Sequence, residues 1–201
     1  AFGDLIFLDH TEFSLIMSDG SKANFLVLVG IDAATNLLFA IGVENDKVDT
    51  TLAGIEELCI LWNIKPKAVC ADSAFFKDGF TPYWLSRDVK PLPTGPSTPW
   101  PNRAETAVKL FQLQLKQIAY TLYCQDFLID SFLTARMLIL RACWARNHSL
   151  IYGGKTPLEC AYGRRPPDII NPESETFGSH AARLTASGTG PGGYHSANVS
   201  K

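Results

Sequence analysis

The stretch Asn24–Glu44, NFLVLVGIDAATNLLFAIGVE, is two apolar runs split by a polar turn. Phe25–Ile31 and Leu37–Val43 are rich in Val, Leu, Ile and Phe, and each has the length of a strand rather than a helix. Between them, Asp32-Ala33-Ala34-Thr35-Asn36 carries turn chemistry, because Asp and Asn side chains hydrogen-bond their own backbone. Just upstream, LIFLDHTEF (Leu5–Phe13) opens with another β-type run, which we read as a strand over Asp4–Asp9. The first 43 residues therefore predict a three-stranded antiparallel meander.

Helical and strand patterns then alternate. Asp49-Thr50-Thr51 can cap a helix running to about Trp62, with Leu52, Ile55, Leu58 and Cys59 on one side. KPKAVCADSAF contains a short strand, Ala68–Ala71, that stops at Asp72. A short helix near Thr81–Arg87, a strand near Lys90–Leu92 and the loop PTGPSTPWPN follow. Two longer helices are predicted over Arg103–Tyr123 and Asp126–His148, the second apolar on most sides and thus sandwiched in the core or shared with a second subunit. GGKTPLECAYGRRPPD reads as a Gly-bounded turn and one short helix. The architecture expected is α/β: a mixed five-stranded sheet flanked by helices, in residues 1–172, with 173–201 a flexible Gly/Ser-rich tail or linker.

Composition narrows the class. With 201 residues, 46% hydrophobic and 19% charged, the chain has the make-up of a globular protein with one good-sized core. No apolar run reaches membrane-spanning length, so no membrane partner is expected. The chain enters a strand almost at once, with neither an initiator Met nor a basic leader, and reads as a piece of a longer protein. The five cysteines are widely spaced with no CxxC, and the four histidines form no HxxxH pair, which speaks for reduced thiols and against structural zinc. Residues 1–102 carry 7 Lys/Arg against 13 Asp/Glu, whereas 103–165 carry 9 against 4. An acidic half joined to a basic helical half suits a metal-dependent enzyme acting on a polyanion.

In the helix from Arg103, Ala104, Val108, Phe111, Leu115, Ile118 and Leu122 make one apolar face. Glu105, Lys109, Gln112 and Lys116 follow the same period on another face. In isolation, Glu105 and Lys109 make an ordinary surface pair at i, i+4. Placed beside Asp9 and Asp72, Glu105 completes a set of three carboxylates from three different elements. Two-metal phosphoryl transfer needs such a set, because hard divalent cations prefer oxygen ligands.

The order Asp9, Asp72, Glu105 resembles the DDE triad of retroviral and retrotransposon integrase cores, which have the RNase H-like fold. LIFLDHTEF is similar to the family's first strand ending in its first Asp, and AVCADSAFF to the strand delivering the second. TPWPNRAET resembles the loop and Asn that precede the family's Glu. RNHSLIYGGKTPLECAYGRRP resembles the segment in which a helix ends at Asn and a TP-x-E-x-x-x-G-R-x-P motif follows. The resemblance runs from about Asp4 to Pro167. Three features depart from it: thirty-two residues between Asp72 and Glu105 where the family usually has thirty-five, no Gly two residues after Asp72, and Arg103 where a Gly usually follows the Asn.

The resemblance implies catalytic and metal-binding roles for Asp9, Asp72 and Glu105, with one or two Mg²⁺ or Mn²⁺ ions. It implies DNA contacts from Lys109, with Gln112 and Lys116 at the neighbouring turns, and adds Arg164 and Arg165 as candidates. Processing of DNA 3′ ends and strand transfer, double-stranded DNA as partner, a homodimer or higher oligomer, and a place in the nucleus and a cytoplasmic virus-like particle follow with it. Two rivals stay open: a catalytically inactive, domesticated integrase-like domain that binds nucleic acid or protein, and another RNase H-like nuclease. The TP-x-E-x-x-x-G-R-x-P segment speaks against the latter.

Overall fold

The structure is a computed structural model, and it describes residues 1–77, 79–95, 103–125, 129–149, 151 and 153–163. Residues 96–102 of the expected loop PTGPSTPWPN (93–102), the Asp126 helix start, Arg164, Arg165 and the tail at 173–201 lie outside the described residues, while the loop's first two residues, Pro93 and Thr94, belong to a strand. Ala1–Arg164 forms one unit. Among the described residues no helix is long and apolar enough to cross a membrane.

Five strands make one sheet: β1 (Leu5–Ile16), β2 (Lys22–Asp32), β3 (Leu38–Val43), β4 (Ala68–Asp72) and β5 (Lys90–Thr94), in the order β3-β2-β1-β4-β5. β1, β2 and β3 form the expected antiparallel meander, and β4 and β5 add in parallel on the other side of β1. The helices are α1 (Val48–Leu61), α2 (Phe80–Ser86), α3 (Arg103–Cys124), α4 (Phe132–Ser149) and α5 (Pro157–Tyr162). Asp32 builds the β2–β3 turn. Fully buried, its carboxylate accepts from the backbone of Gly3, Ala34 and Thr35 and from the Thr35 hydroxyl, at 2.7–3.1 Å.

Alternate residues of β3 serve opposite layers. Gly54 lets α1 lie against one face: a Cβ there would come within 3.0 Å of Val43 and 3.3 Å of Leu28. Gly42 does the same for α4 on the other face, where a Cβ would meet Ile139 at 3.3 Å. The two layers meet around the β3 edge, where Trp62 packs tilted against Phe39 at 5.9 Å and stacks on Trp144 at 5.4 Å.

Both outer edges carry a partial block, which matters because an unpaired edge invites another strand. At β3, the Asn147 amide accepts from the Leu38 N–H at 2.9 Å and donates to its carbonyl at 2.8 Å, so a helical side chain completes the ladder. At β5, the Lys90 N–H bonds the Lys67 carbonyl, so alternation turns Pro91 and Pro93, which have no N–H, to the outside.

β2 begins three residues before the expected Phe25, at Lys22, β5 runs on to Thr94 past the expected Leu92, and three other boundaries also differ from the sequence reading. β1 runs on to Ile16, because Thr11, Phe13 and Leu15 are buried while Glu12, Ser14 and Ile16 are less so; this alternation continues the strand past Asp9. α1 starts at Val48, without a side-chain cap; Thr51 is buried inside it and its hydroxyl meets His10 Nε2 at 3.2 Å. α4 starts at Phe132, where the Ser131 hydroxyl accepts from the Thr134 N–H at 3.2 Å in the pattern of an N-cap.

Candidate active site

Asp9 is mid-strand in β1, not at a strand end as the sequence reading had it. The paired length of its parallel neighbour is what ends nearby. β1 and β4 pair at Leu5–Ala68, Ile6–Val69 and Phe7–Cys70, and two residues further the same register brings Asp9 level with Asp72, the last residue of β4. Paired residues of parallel strands face the same side. Thr11, two residues on from Asp9, bonds Gln112 of α3, so Asp9 and Asp72 face the layer of α3. His10 faces the other way, stacked on Phe75 at 4.8 Å and bonded to Thr51.

Burial pushes the Asp9 carboxyl above its ordinary pKa. The His10 backbone N–H works against that shift, and the carboxylates of Asp72 and Glu105 add to it. Asp72 is exposed and caps the 3-10 turn Ser73–Phe76, accepting from the Ala74 N–H and the Ser73 hydroxyl, both at 3.1 Å.

α3 brings the third carboxylate. Of the apolar face that the periodicity predicts, Ala104, Val108, Phe111 and Leu115 are buried, with Ala107 beside them, and Ile118 and Leu122 are half-buried, which leaves Glu105 exposed in the first turn. Its carboxylate pairs with Lys109 at 2.8 Å, and that bond holds it below the ordinary carboxylate range. As the side chains stand, no group of three His, Cys, Asp or Glu among the described residues is gathered closely enough to hold a metal ion. The chemistry of the donor set still fits a hard divalent cation: carboxylates alone, near enough for Asp9 to sense the charge of the other two.

Of the basic stripe, Lys109 is tied to Glu105 and Lys116 is exposed beside a groove of about 260 Å³ lined by Leu15, Ile16, Tyr120, Tyr123 and Ile129. Gln112 behaves differently. Its amide turns inward to Thr11 Oγ1 and to the Glu12 carbonyl, the latter at 3.2 Å. This link was not legible in the sequence, because a glutamine on a polar stripe looks the same whether it meets solvent, DNA or a neighbouring strand.

The TP-x-E-x-x-x-G motif has a folding role. Thr156 caps α5, Pro157 takes the first turn, Glu159 completes a capping box, and Gly163 ends the helix at φ 67°.

Neither a protein-family model nor a curated protein matches the chain. Solved structures do. The HTLV-2 integrase catalytic core domain in complex with magnesium matches in its dimeric form with a TM-score of 0.63 at 16% identity, over 80% of this chain and 97% of that one. The trimeric form gives 0.61 at the same identity and coverage. The simian T-cell lymphotropic virus intasome in complex with PP2A regulatory subunit B56 gamma gives 0.63 at 16% identity, over 84% of this chain and 58% of that one. The fold of this chain is that of a retroviral integrase catalytic core, the RNase H-like α/β fold expected from the sequence.

Proposed function

We propose that this chain is the catalytic core of a retroelement integrase, a polynucleotidyl transferase that trims DNA 3′ ends and joins them to target DNA. The observation that carries the reading is the level placement of Asp9 and Asp72 on adjacent parallel strands, facing the helix that Glu105 opens. Their occurrence in an integrase-core fold, whose HTLV-2 examples contain magnesium, supports it.

Asp9, Asp72 and Glu105 would hold one or two Mg²⁺ or Mn²⁺ ions. When bound, these supply Lewis-acid chemistry to the attacking and leaving oxygens of an in-line displacement. The chain's own part is placement. Asp9 comes from the interior of β1, where the strand is paired with β2, Asp72 from the end of β4, and Glu105 from a helix seated on the core. For Glu105 to join them it must leave Lys109, and both side chains are more than 60% exposed, where such ion pairs hold weakly. That exchange frees Lys109 for a DNA phosphate, with Lys116 two turns on, contacts that position DNA without reading its sequence.

The partners in this reading are the element's DNA ends, target DNA and further copies of the chain, acting in the nucleus and a cytoplasmic virus-like particle. Leu133, Met137 and Trp144 on α4, with Ile60 and Leu61 on α1, stand 46–77% exposed and offer an apolar surface to a second copy. The dimeric and trimeric forms of the HTLV-2 core are in keeping with that.

A binding-only domain is the second reading, and the Glu105–Lys109 pairing is the observation in its favour. Labelled branched DNA that mimics a strand-transfer product separates the two. Mn²⁺-dependent cleavage and rejoining by the parent, lost in Asp72→Asn and Glu105→Gln, is the result expected. An inactive parent whose melting temperature does not respond to metal would establish the binding domain instead.

A further inference from the structure

Gln112 lies two helical turns beyond Glu105. Seven residues advance an α-helix by about 10.5 Å and leave the two side chains within about 20° of each other around the axis. Whatever fixes Gln112 in rotation and height therefore fixes the direction in which Glu105 leaves the helix.

What fixes it is β1. The Gln112 amide nitrogen donates to the Thr11 hydroxyl and to the Glu12 carbonyl. Thr11 is buried two residues beyond Asp9, on the same face of the strand. The Glu12 carbonyl has a separate reason to need a donor. Asp4, on the same alternation as Glu12, bonds toward β4 through Lys67 and Ala68, but β4 pairing has stopped at Phe7, well before Glu12. Gln112 bonds the strand where its neighbour is missing.

We propose that Gln112 is a positioning residue: its amide clamps α3 to β1 at Thr11 and Glu12 and so sets the angle and height at which Glu105 is presented to Asp9. The inference rests on the active-site reading above. The apolar seat of α3 cannot do this alone, because hydrophobic contact is non-directional. A catalytic constellation must be held to about 0.5 Å and 10–20°. A directional bond from the helix to the strand that carries Asp9 is the simplest device of that precision. A glutamine that served DNA instead would have to release both of its bonds to β1.

The test uses Gln112→Leu, Gln112→Glu (the same size, with no N–H to donate), Thr11→Val, and the double variant Thr11→Val/Gln112→Leu. Thr11 is buried, so its loss reaches DNA only through the clamp. Amide hydrogen exchange without metal or DNA is the first readout. The single variants should exchange severalfold faster at Val108–Leu110, with the amides of α4 unchanged. The second readout is strand transfer, where kcat should fall about tenfold with the KM for DNA held within twofold, and the double variant should be no worse than Gln112→Leu. A raised KM with kcat held, or multiplying effects in the double variant, would overturn the clamp in favour of a DNA contact. If the parent itself lacks metal-dependent activity, the active-site reading has failed and exchange decides alone: faster exchange at Val108–Leu110 upholds the clamp, and unchanged exchange overturns it.

Discussion

Asp9 and Asp72 fall at the same register of adjacent parallel strands, two residues beyond the last pair, Phe7 and Cys70, with Asp9 half-buried within β1 and Asp72 exposed at the end of β4. The difference in burial separates their electrostatics. Burial strips the Asp9 carboxylate of part of its hydration, so folding without metal works against its charged form.

Asp9→Asn should therefore raise the melting temperature of the metal-free protein at pH 7 while abolishing metal-dependent activity. The sign follows from linkage. With its pKa raised on folding, Asp9 binds a proton in the native state at pH values where the unfolded chain has released it. Native stability thus falls as pH rises through the window between the ordinary carboxylate value and the raised one. The variant lacks that loss, so its advantage should shrink as the pH is lowered through the window. A calorimetric pH series checks this, and a variant less stable than the parent at neutral pH would show that Asp9 makes a stabilising bond instead.

The same two residues show how far the sequence could be read. Asp72 was legible as a strand end because apolar AVCA stops there and Ser follows. Asp9 looked like a strand end because the apolar run Leu5–Leu8 stops before it, yet β1 continues for seven residues by alternation, with Phe13 and Leu15 buried. Periodicity in α3 located Glu105 and Lys109 and even their pairing, since i, i+4 contacts are local. The Gln112 link spans about a hundred residues of sequence and depends on where β4 ends, a fact of tertiary pairing with no local signature. The start of α4 was missed for a related reason: the apolar pattern extends upstream of Ser131, and the cap side chain stops the helix short of it.

Asn147→Ala should be among the most destabilising single changes in the helical layers. It leaves the N–H and carbonyl of Leu38 buried without their side-chain amide, at a cost of about 2–4 kcal/mol. Asn147→Asp should cost as much or more, because its carboxylate can accept from the N–H but meets the carbonyl as a like dipole. Urea unfolding measures both. A loss under about 1 kcal/mol would mean that water or Cys143, whose thiol also reaches the Leu38 carbonyl, takes over the edge.

Arg146 should behave in the opposite way. It is 4% exposed, and its Nε has no hydrogen-bond partner among the described residues. Burying a guanidinium donor without a partner is unfavourable, and an apolar side chain of similar length avoids that penalty. Arg146→Met is expected to hold the stability of the parent within about 1 kcal/mol or to exceed it. Thermal and urea unfolding test this together, and a loss above about 3 kcal/mol would show that the guanidinium is engaged after all.

Lys109 separates a surface pair from a DNA contact, because the two roles leave different traces in salt. The side chain is 70% exposed, so Lys109→Ala should leave the melting temperature almost unchanged whichever role it has. If Lys109 meets a phosphate, its loss weakens binding to unrelated duplexes alike and makes the dependence of log K on log salt shallower by about 0.9. If it serves only Glu105, the slope stays where it was. The metal should enter the comparison too. A divalent ion that draws Glu105 toward Asp9 releases Lys109, so the slope difference between parent and variant should widen when Mg²⁺ is added, and in a Glu105→Gln background, where no carboxylate holds Lys109, that dependence on Mg²⁺ should vanish. Fluorescence anisotropy across a salt series, with and without Mg²⁺ and in both backgrounds, gives all eight slopes. A difference of the same size in every condition would place Lys109 on DNA independently of Glu105.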